Sequence, residues 1–253
     1  METKLIQGVS QVHDKYDVFF IDLWGVVHDG IQLNRGAIEV LTNLNKLNKR
    51  FVLMSNAPRP AKNVESFLLK LKMSKALIKN VFTSGEAFLT SLQKKMYGKT
   101  FFHLGPKRDN NLFQGFEKNQ TNIKDADFIL CTGFLDNYED SFQYYKDFLK
   151  KYIHLKMVCT NPDLIVFRGE KQEYCAGTLA DIFKKMGGEV IFYGKPYPEI
   201  YKFCYKKNEK VLVIGDNIQT DIMGANNMKF DSLFITNGIH KKEFVNLTLQ
   251  NYD

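Results

Sequence analysis

Three aspartates, a lysine and a serine stand where apolar runs of this chain give way to turns. Asp22 closes DVFFID and is followed at once by LWGVVHDG; Ser55 and Asn56 close KRFVLMSNA. Lys195 follows EVIFY in the stretch GKPYPE, Asp216 closes KVLVIGD, and Asp221 follows in the same GDNIQTD segment. Carboxylate oxygens suit Mg²⁺, which needs octahedral oxygen ligation and commonly shares its site with phosphate oxygens. A cation and a hydroxyl suit the phosphoryl group itself, as a point charge and a hydrogen-bond donor. Gathered at one sheet edge, the set would serve phosphoryl transfer. Singly, each residue has a plain structural account: Asp22 and Asp216 as turn residues, Ser55 as a helix cap, Lys195 as a surface lysine before a proline turn.

Whether they meet depends on the elements that carry them. The run Val18, Phe19, Phe20, Ile21 lacks alternation, as expected of a central parallel strand covered on both faces. Its last residue, Asp22, would then lie at the carboxyl edge, where open α/β sheets hold their sites. KRFVLMSNA, EVIFYGK, KVLVIGD and DSLFITNG have the same character and would complete one sheet. Helical patterns separate them, such as GAIEVLTNLNKLNK with Ile38, Leu41, Leu44 and Leu47 on one stripe. The rhythm predicts an α/β fold, a Rossmann-like doubly wound parallel sheet. The stretch between the second and third runs is too long for one crossover. It holds KTFFHLG, ADFILCTG and KMVCTN alternating with FLTSLQKK, SFQYYKDFLKKYI and CAGTLADIFKKM. An inserted α/β unit over 83–186 is expected, within a core of 1–82 and 187–253.

Composition narrows the function classes. At 253 residues, 44% hydrophobic and 25% charged, the chain reads as globular rather than disordered or fibrous. The net charge of +7 comes from lysines spread along amphipathic helices such as AKNVESFLLKLK, which suits a solvated surface better than a nucleic-acid interface. Cys131, Cys159, Cys175 and Cys204 are far apart and lie in or beside apolar runs, so buried free thiols in a reducing cytoplasm are expected. No apolar run is long enough to span a bilayer. The first residues, METKLIQGVSQVHDKYD, lack an uninterrupted apolar signal region.

In this order, Asp22 with its strand, Ser55 in LMSNA, Lys195 in GKPYPEIY and GDNIQTD with Asp216 and Asp221 resemble the four-motif signature of the haloacid dehalogenase-like superfamily. The insertion is similar to the large α/β cap of the branch that includes p-nitrophenyl phosphatases, pyridoxal phosphatases and ribonucleotide monophosphatases. The resemblance implies that Asp22 is a nucleophile that becomes an aspartyl phosphate. It implies Mg²⁺ held by Asp22, Asp216 and the backbone carbonyl of Trp24, with Asp221 binding or orienting its water shell. Ser55 and Lys195 would hold the phosphoryl oxygens, and Asn56 would add a donor. In the cap, TNPD resembles the substrate-facing loop, which makes Asn161 and Asp163 candidates for substrate binding. An Asx turn after KMVCTN is the plain account of the same residues. A small phosphorylated metabolite is the implied substrate, and caps of this branch often form homodimer contacts.

One position departs from the pattern. Phosphatases of the superfamily usually carry a second Asp two residues after the nucleophile, as general acid and then base; here that residue is Trp24, the only tryptophan. Indole is a donor only, so it cannot fill the role. Loss of a positioned acid or base costs about 10² to 10⁴ in rate. Three readings follow: a phosphohydrolase that is slow or restricted to good leaving groups, an enzyme of the same fold with other chemistry, and a domain that binds a phosphorylated ligand or a protein. His28, Asp29 and cap residues are the candidate substitutes for the missing group.

Overall fold

The structure, a computed structural model, describes residues 4–138, 141–241 and 243–244. Along the chain the strands are β1 (Val18–Asp22), β2 (Arg50–Ser55), β3 (Val81–Thr83), β4 (Phe101–Leu104), β5 (Phe128–Cys131) and β6 (Lys156–Cys159). They continue as β7 (Ile165–Arg168), β8 (Lys171–Tyr174), β9 (Val190–Phe192), β10 (Val211–Gly215) and β11 (Asp231–Phe234). The helices are α1 (Arg35–Lys46), α2 (Ala61–Lys70), α3 (Ser84–Gln93), α4 (Phe142–Lys150), α5 (Ala176–Lys185), α6 (Glu199–Lys202) and α7 (Met223–Met228).

β1 is buried along its whole length, as its unbroken apolar run requires. It pairs in parallel with β10 on one side, Val18 opposite Val211, and with β2 on the other, Asp22 opposite Met54. Successive side chains of a strand point to opposite faces. Phe19 and Ile21 therefore join Leu41 and Leu44 of α1 and Val64 and Leu68 of α2 in one apolar cluster. Val18 and Phe20 join Ile200, Tyr201 and Ala225 in another. The sheet order is β11-β10-β1-β2-β3, all parallel and covered on both faces, which gives the expected doubly wound α/β core. From β1 the chain moves outward through β2 and β3, then returns to the other side of β1 at β10. This reversal places the switch-point crevice at the carboxyl end of β1.

Three sequence expectations change. EVIFYGK does not join this sheet: β9 pairs with β6, Val158 opposite Ile191, as the edge of a second parallel sheet of order β4-β5-β6-β9. A short apolar run carries no mark of which sheet it will join, and here the partner strand decides. β3, read from sequence only as the edge of the insertion, takes the vacant place beside β2. We propose accordingly that the inserted unit runs on through β9. The α1 stripe also ends early, because Leu47 follows the helix and is 52% exposed.

The second sheet is filled by Leu179, Ala180 and Phe183 of α5 with Tyr145 and Leu149 of α4 on one side. Phe88 of α3, Phe101, Phe113 and Phe128 fill the other. The four cysteines are free and buried, as expected. His103 is buried here against Phe113, with Nε2 paired to Thr132 Oγ1 at 2.8 Å. Burial lowers its pKa from 6.5 to about 4. The folded chain therefore binds fewer protons than the unfolded chain between those values, and His103 costs stability as pH falls through that window. The move corresponds to about 3 kcal/mol at about 1.4 kcal/mol per pH unit. Urea unfolding of wild type and His103→Gln should show the difference between them shifting in favour of the variant by about that amount from pH 7.5 to 4. Buried aspartates act in the opposite sense but are common to both proteins, so an unchanged difference would contradict a neutral buried His103.

Candidate active site

Four segments converge at the carboxyl end of β1. Asp22 is its last residue, Ser55 ends β2, Asp216 directly follows β10, and Asp221 lies in the helical turn after it. Lys195 sits on the segment returning from β9. The chain reaches each point for a local reason. Asn217 caps the turn 218–222, its side chain accepting from Gln219 N at 2.9 Å, and Asp221 Oδ2 accepts from Asn217 N at 3.2 Å. Gly25 has φ +91°, and a Cβ there would lie 2.1 Å from Asp216 Oδ2, so only glycine lets the loop after Trp24 approach that carboxylate.

Lys195 is the hub. Its Nζ donates to Asp22 Oδ1 in a very short contact and to Asp221 Oδ1 at 2.7 Å, and all three side chains are buried. Its position is fixed by Asn56, whose Oδ1 accepts from Lys195 N at 2.7 Å and whose Nδ2 donates to Lys195 O at 3.0 Å. The same Nδ2 donates to Asp163 Oδ1 at 2.9 Å. Both amide hydrogens are thus engaged within the protein, and Asn56 positions the lysine and the cap loop instead of offering a donor to a ligand. Ser55 is half-buried and its Oγ accepts from Ala57 N at 3.2 Å, which leaves the hydroxyl hydrogen available to the cleft.

Oxygens of Asp22, Asp216 and Asp221 lie within 4.8 Å of one another. Burial raises the Asp22 carboxyl well above its ordinary value; Lys195 opposes this, while Asp221 and Asp216 add to it. Burial likewise raises Asp216 to about 6, against the N–H of Ile239, which donates to its Oδ2 at 2.7 Å. Burial alone would lower Lys195, but Asp22 and Asp221 more than reverse this and hold its ammonium firmly charged. Three carboxyl groups share one ammonium in a buried site, an excess of acidic groups over cations. That excess, in an all-oxygen donor set, fits a small hard divalent cation.

The cap contributes through the 160–163 loop and the β7–β8 hairpin. Asn161 Oδ1 accepts from Asp163 N at 3.1 Å, so the Asx turn forms; the turn also presents Asp163 to Asn56 and the cleft. Burial raises Asp163 to about 6, with Lys195 and Asn56 opposing. The cleft between sheet edge and cap has a volume of about 1200 Å³ and includes Asp22, Trp24, Ser55, Asp163, Lys195 and Asp216 in its lining. Arg59 bridges core and cap through Asp109, at 2.6 Å. The hairpin was not expected from sequence. Its signal was present in IVFR and KQEY separated by Gly-Glu, a two-residue glycine turn.

His28 and Asp29, two of the candidate substitutes for the missing acid, are otherwise occupied. His28 Nδ1 accepts from Gly30 N at 3.0 Å, and its ring is packed edge-on against Trp24 and Phe67. Burial lowers its pKa to about 4, so it is neutral at physiological pH. Asp29 Oδ1 accepts from Ile31 N and Gln32 N at 2.9 and 2.8 Å. Against a slight burial effect, those amides hold its carboxyl below the usual range, which leaves no proton to donate.

Known proteins share this fold. Residues 19–117 match the model of the haloacid dehalogenase-like hydrolases, and residues 192–250 match a second, HAD-hydrolase-like model. The 5'-nucleotidase YutF of Bacillus subtilis is 23% identical over 239 residues, covering 90% of each chain. Among solved structures, a haloacid dehalogenase-like hydrolase from Brucella suis is 29% identical, covers 93% of this chain and 91% of its own, and superposes with a TM-score of 0.86. The 4-nitrophenylphosphatase of Thermotoga maritima, 23% identical over 89% of this chain and 87% of its own, shares the fold with a TM-score of 0.71. Among the described residues no helix is long and apolar enough to cross a membrane.

Proposed function

This chain belongs to the haloacid dehalogenase-like hydrolases, and from that premise we propose that it is a Mg²⁺-dependent phosphohydrolase acting on a small phosphorylated metabolite through Asp22. The observation that carries the reading is the sharing of Lys195 between Asp22 and Asp221 beside Asp216, at the carboxyl end of β1. Asp22, Asp216 and Asp221, together with the Trp24 carbonyl, would hold Mg²⁺. When bound, the ion would offset the carboxylate charge and polarise the phosphoryl oxygens. Lys195 Nζ and the Ser55 hydroxyl would hold two of those oxygens. A carboxylate oxygen of Asp22 attacks phosphorus, the bond to the leaving oxygen breaks, and water later releases phosphate from the aspartyl phosphate. Asp163 stands at the cap side of the same cleft as a specificity residue. The name of the Bacillus relative, a 5'-nucleotidase, supports a small phosphorylated substrate. The four free buried cysteines support a reducing compartment.

Hydrolysis of p-nitrophenyl phosphate with and without Mg²⁺ tests the reading, and metal-dependent release of p-nitrophenol is expected. The leaving group should matter unusually strongly. The Trp24 N–H donates to Phe167 O, so neither Trp24 nor its neighbours His28 and Asp29 delivers a proton to a departing alkoxide. With a shortfall of about 10² to 10⁴ for an unprotonated alkoxide, kcat/KM for p-nitrophenyl phosphate should exceed that for a simple alkyl phosphate by at least about 10²-fold. Equal values would mean that an acid is supplied from elsewhere. Trp24 at this position also favours one second reading, a site that binds phosphorylated ligands without turning them over. Binding of inorganic phosphate with no hydrolysis of any aryl or alkyl phosphate would establish it.

A further inference from the structure

Trp24 does more than displace a carboxylate: its side chain crosses from the core to the cap. Nε1 donates to the carbonyl oxygen of Phe167 at 2.6 Å, and the Arg168 guanidinium carbon lies 5.2 Å from the centre of the indole. Glu173 on the facing strand steadies that guanidinium at 3.0 Å. From the core side His28 meets the indole edge-on, with ring centres 5.1 Å apart. Gly30 has φ +86° and lies so close beneath that a Cβ would come within 2.6 Å of the ring. Next to this stack the Gly169 N–H donates to Asp29 O at 3.0 Å. The loop 24–30 and the tip of the β7–β8 hairpin are thus joined by a side-chain hydrogen bond, a cation–π contact and a backbone hydrogen bond.

The hairpin has little else to hold it down. No residue from 165 to 173 belongs to any of the four buried apolar clusters of the described residues. Its base is anchored by Tyr174, packed on Phe142 and Phe134, but its tip lies over the cleft, which Ile165, Phe167, Arg168 and Lys171 help to line. Elements with few buried contacts open locally at low cost, so the contacts at the tip set how often the roof lifts.

We propose that Trp24 is a positioning residue that latches the β7–β8 hairpin over the cleft, so that a ligand enters and leaves only when this latch releases. The latch does not depend on the chemistry assigned to Asp22 and would serve a binding site equally. The residue that lacks the acid function supplies closure, and it shields the cleft from bulk water.

Because Trp24 is the only tryptophan, the intrinsic tryptophan fluorescence of the full chain reports this contact alone. Acrylamide quenching should be weak in wild type and rise at least about 3-fold in Arg168→Met, with Arg168→Lys, which keeps a cation over the ring, falling between them. Hydrogen exchange of residues 165–174 should quicken by at least about 10-fold in Trp24→Phe, which keeps a ring but loses the N–H, while β1 and β5 stay protected. Unchanged exchange in the hairpin, or a wild-type tryptophan quenched as readily as in Arg168→Met, would overturn the latch. If Trp24→Phe loosens β1 and β5 as well, the Arg168 variants decide alone. A missing hydrolytic activity would leave both readouts intact, so failure of the phosphohydrolase reading and failure of the latch are separable.

Discussion

Asp22→Asn is expected to lower Mg²⁺-dependent hydrolysis of p-nitrophenyl phosphate by at least about 10⁴-fold while leaving thermal stability unchanged or raised. The two halves of the expectation have one cause. Asp22 is buried at the end of β1 beside Asp216 and Asp221, and burial together with those neighbours pushes its carboxyl well above the ordinary range. A neutral amide of the same shape removes that repulsion, while Lys195 keeps Asp221 as a partner at 2.7 Å. The amide cannot form the acyl phosphate, so chemistry fails in a protein that remains folded. Residual turnover within about 10-fold of wild type would remove Asp22 from the nucleophile's role. Parallel melting curves separate this from simple unfolding.

Lys195→Met should have the largest effect on stability, a loss of about 3 to 5 kcal/mol at pH 7.5 without metal. Removing one partner of a buried ion pair leaves the others uncompensated, and here two carboxylates lose their shared cation. The pH dependence follows from the sign of the shift. Without the ammonium, which opposes the rise, the Asp22 carboxyl is raised further, so stability returns as pH falls and it takes up a proton. Urea unfolding at pH 7.5 and 5.5 checks this, and Mg²⁺ should recover part of the loss at the higher pH. Lys156→Met is the matched control. Its pair with Glu189 at 3.0 Å leaves both side chains more than half exposed, and such pairs contribute at most about 1 kcal/mol. Equal losses in the two variants would mean that Lys195 is not the buried hub described here.

Much of the site was legible because its residues end apolar runs whose place in the fold is dictated by burial. Phe19, Phe20 and Ile21 leave little alternative to a central strand, and Asp22 inherits its position from them. Lys195 meets Asp22 and Asp221 although its strand joins the other sheet. β9 joins the second sheet, but the chain must still return to the core there, and the return passes the carboxyl edge of β1. The roles of side chains that act across the core–cap boundary were not legible. Asn56 read as a donor to a ligand; only the folded chain shows that Lys195 N, Lys195 O and Asp163 engage its amide. Trp24 read as an absence. Its partner, Phe167, is 143 residues away on a hairpin marked in sequence only by its Gly-Glu turn, because the second strand, KQEY, is polar and mostly exposed.

The central claim is that Asp22 carries the phosphoryl group. The most direct measurement is a rapid-quench time course with an aryl phosphate labelled in its phosphoryl group, run with Mg²⁺ on wild type and Asp22→Asn and followed by peptide mapping. With Trp24 in the position where the superfamily usually places its base, the second step should be slow. Label should therefore accumulate to nearly one equivalent on the peptide that contains Asp22, with a matching burst of phenol, and be absent from Asp22→Asn. Steady metal-dependent turnover with no label on that peptide at any time would contradict the claim.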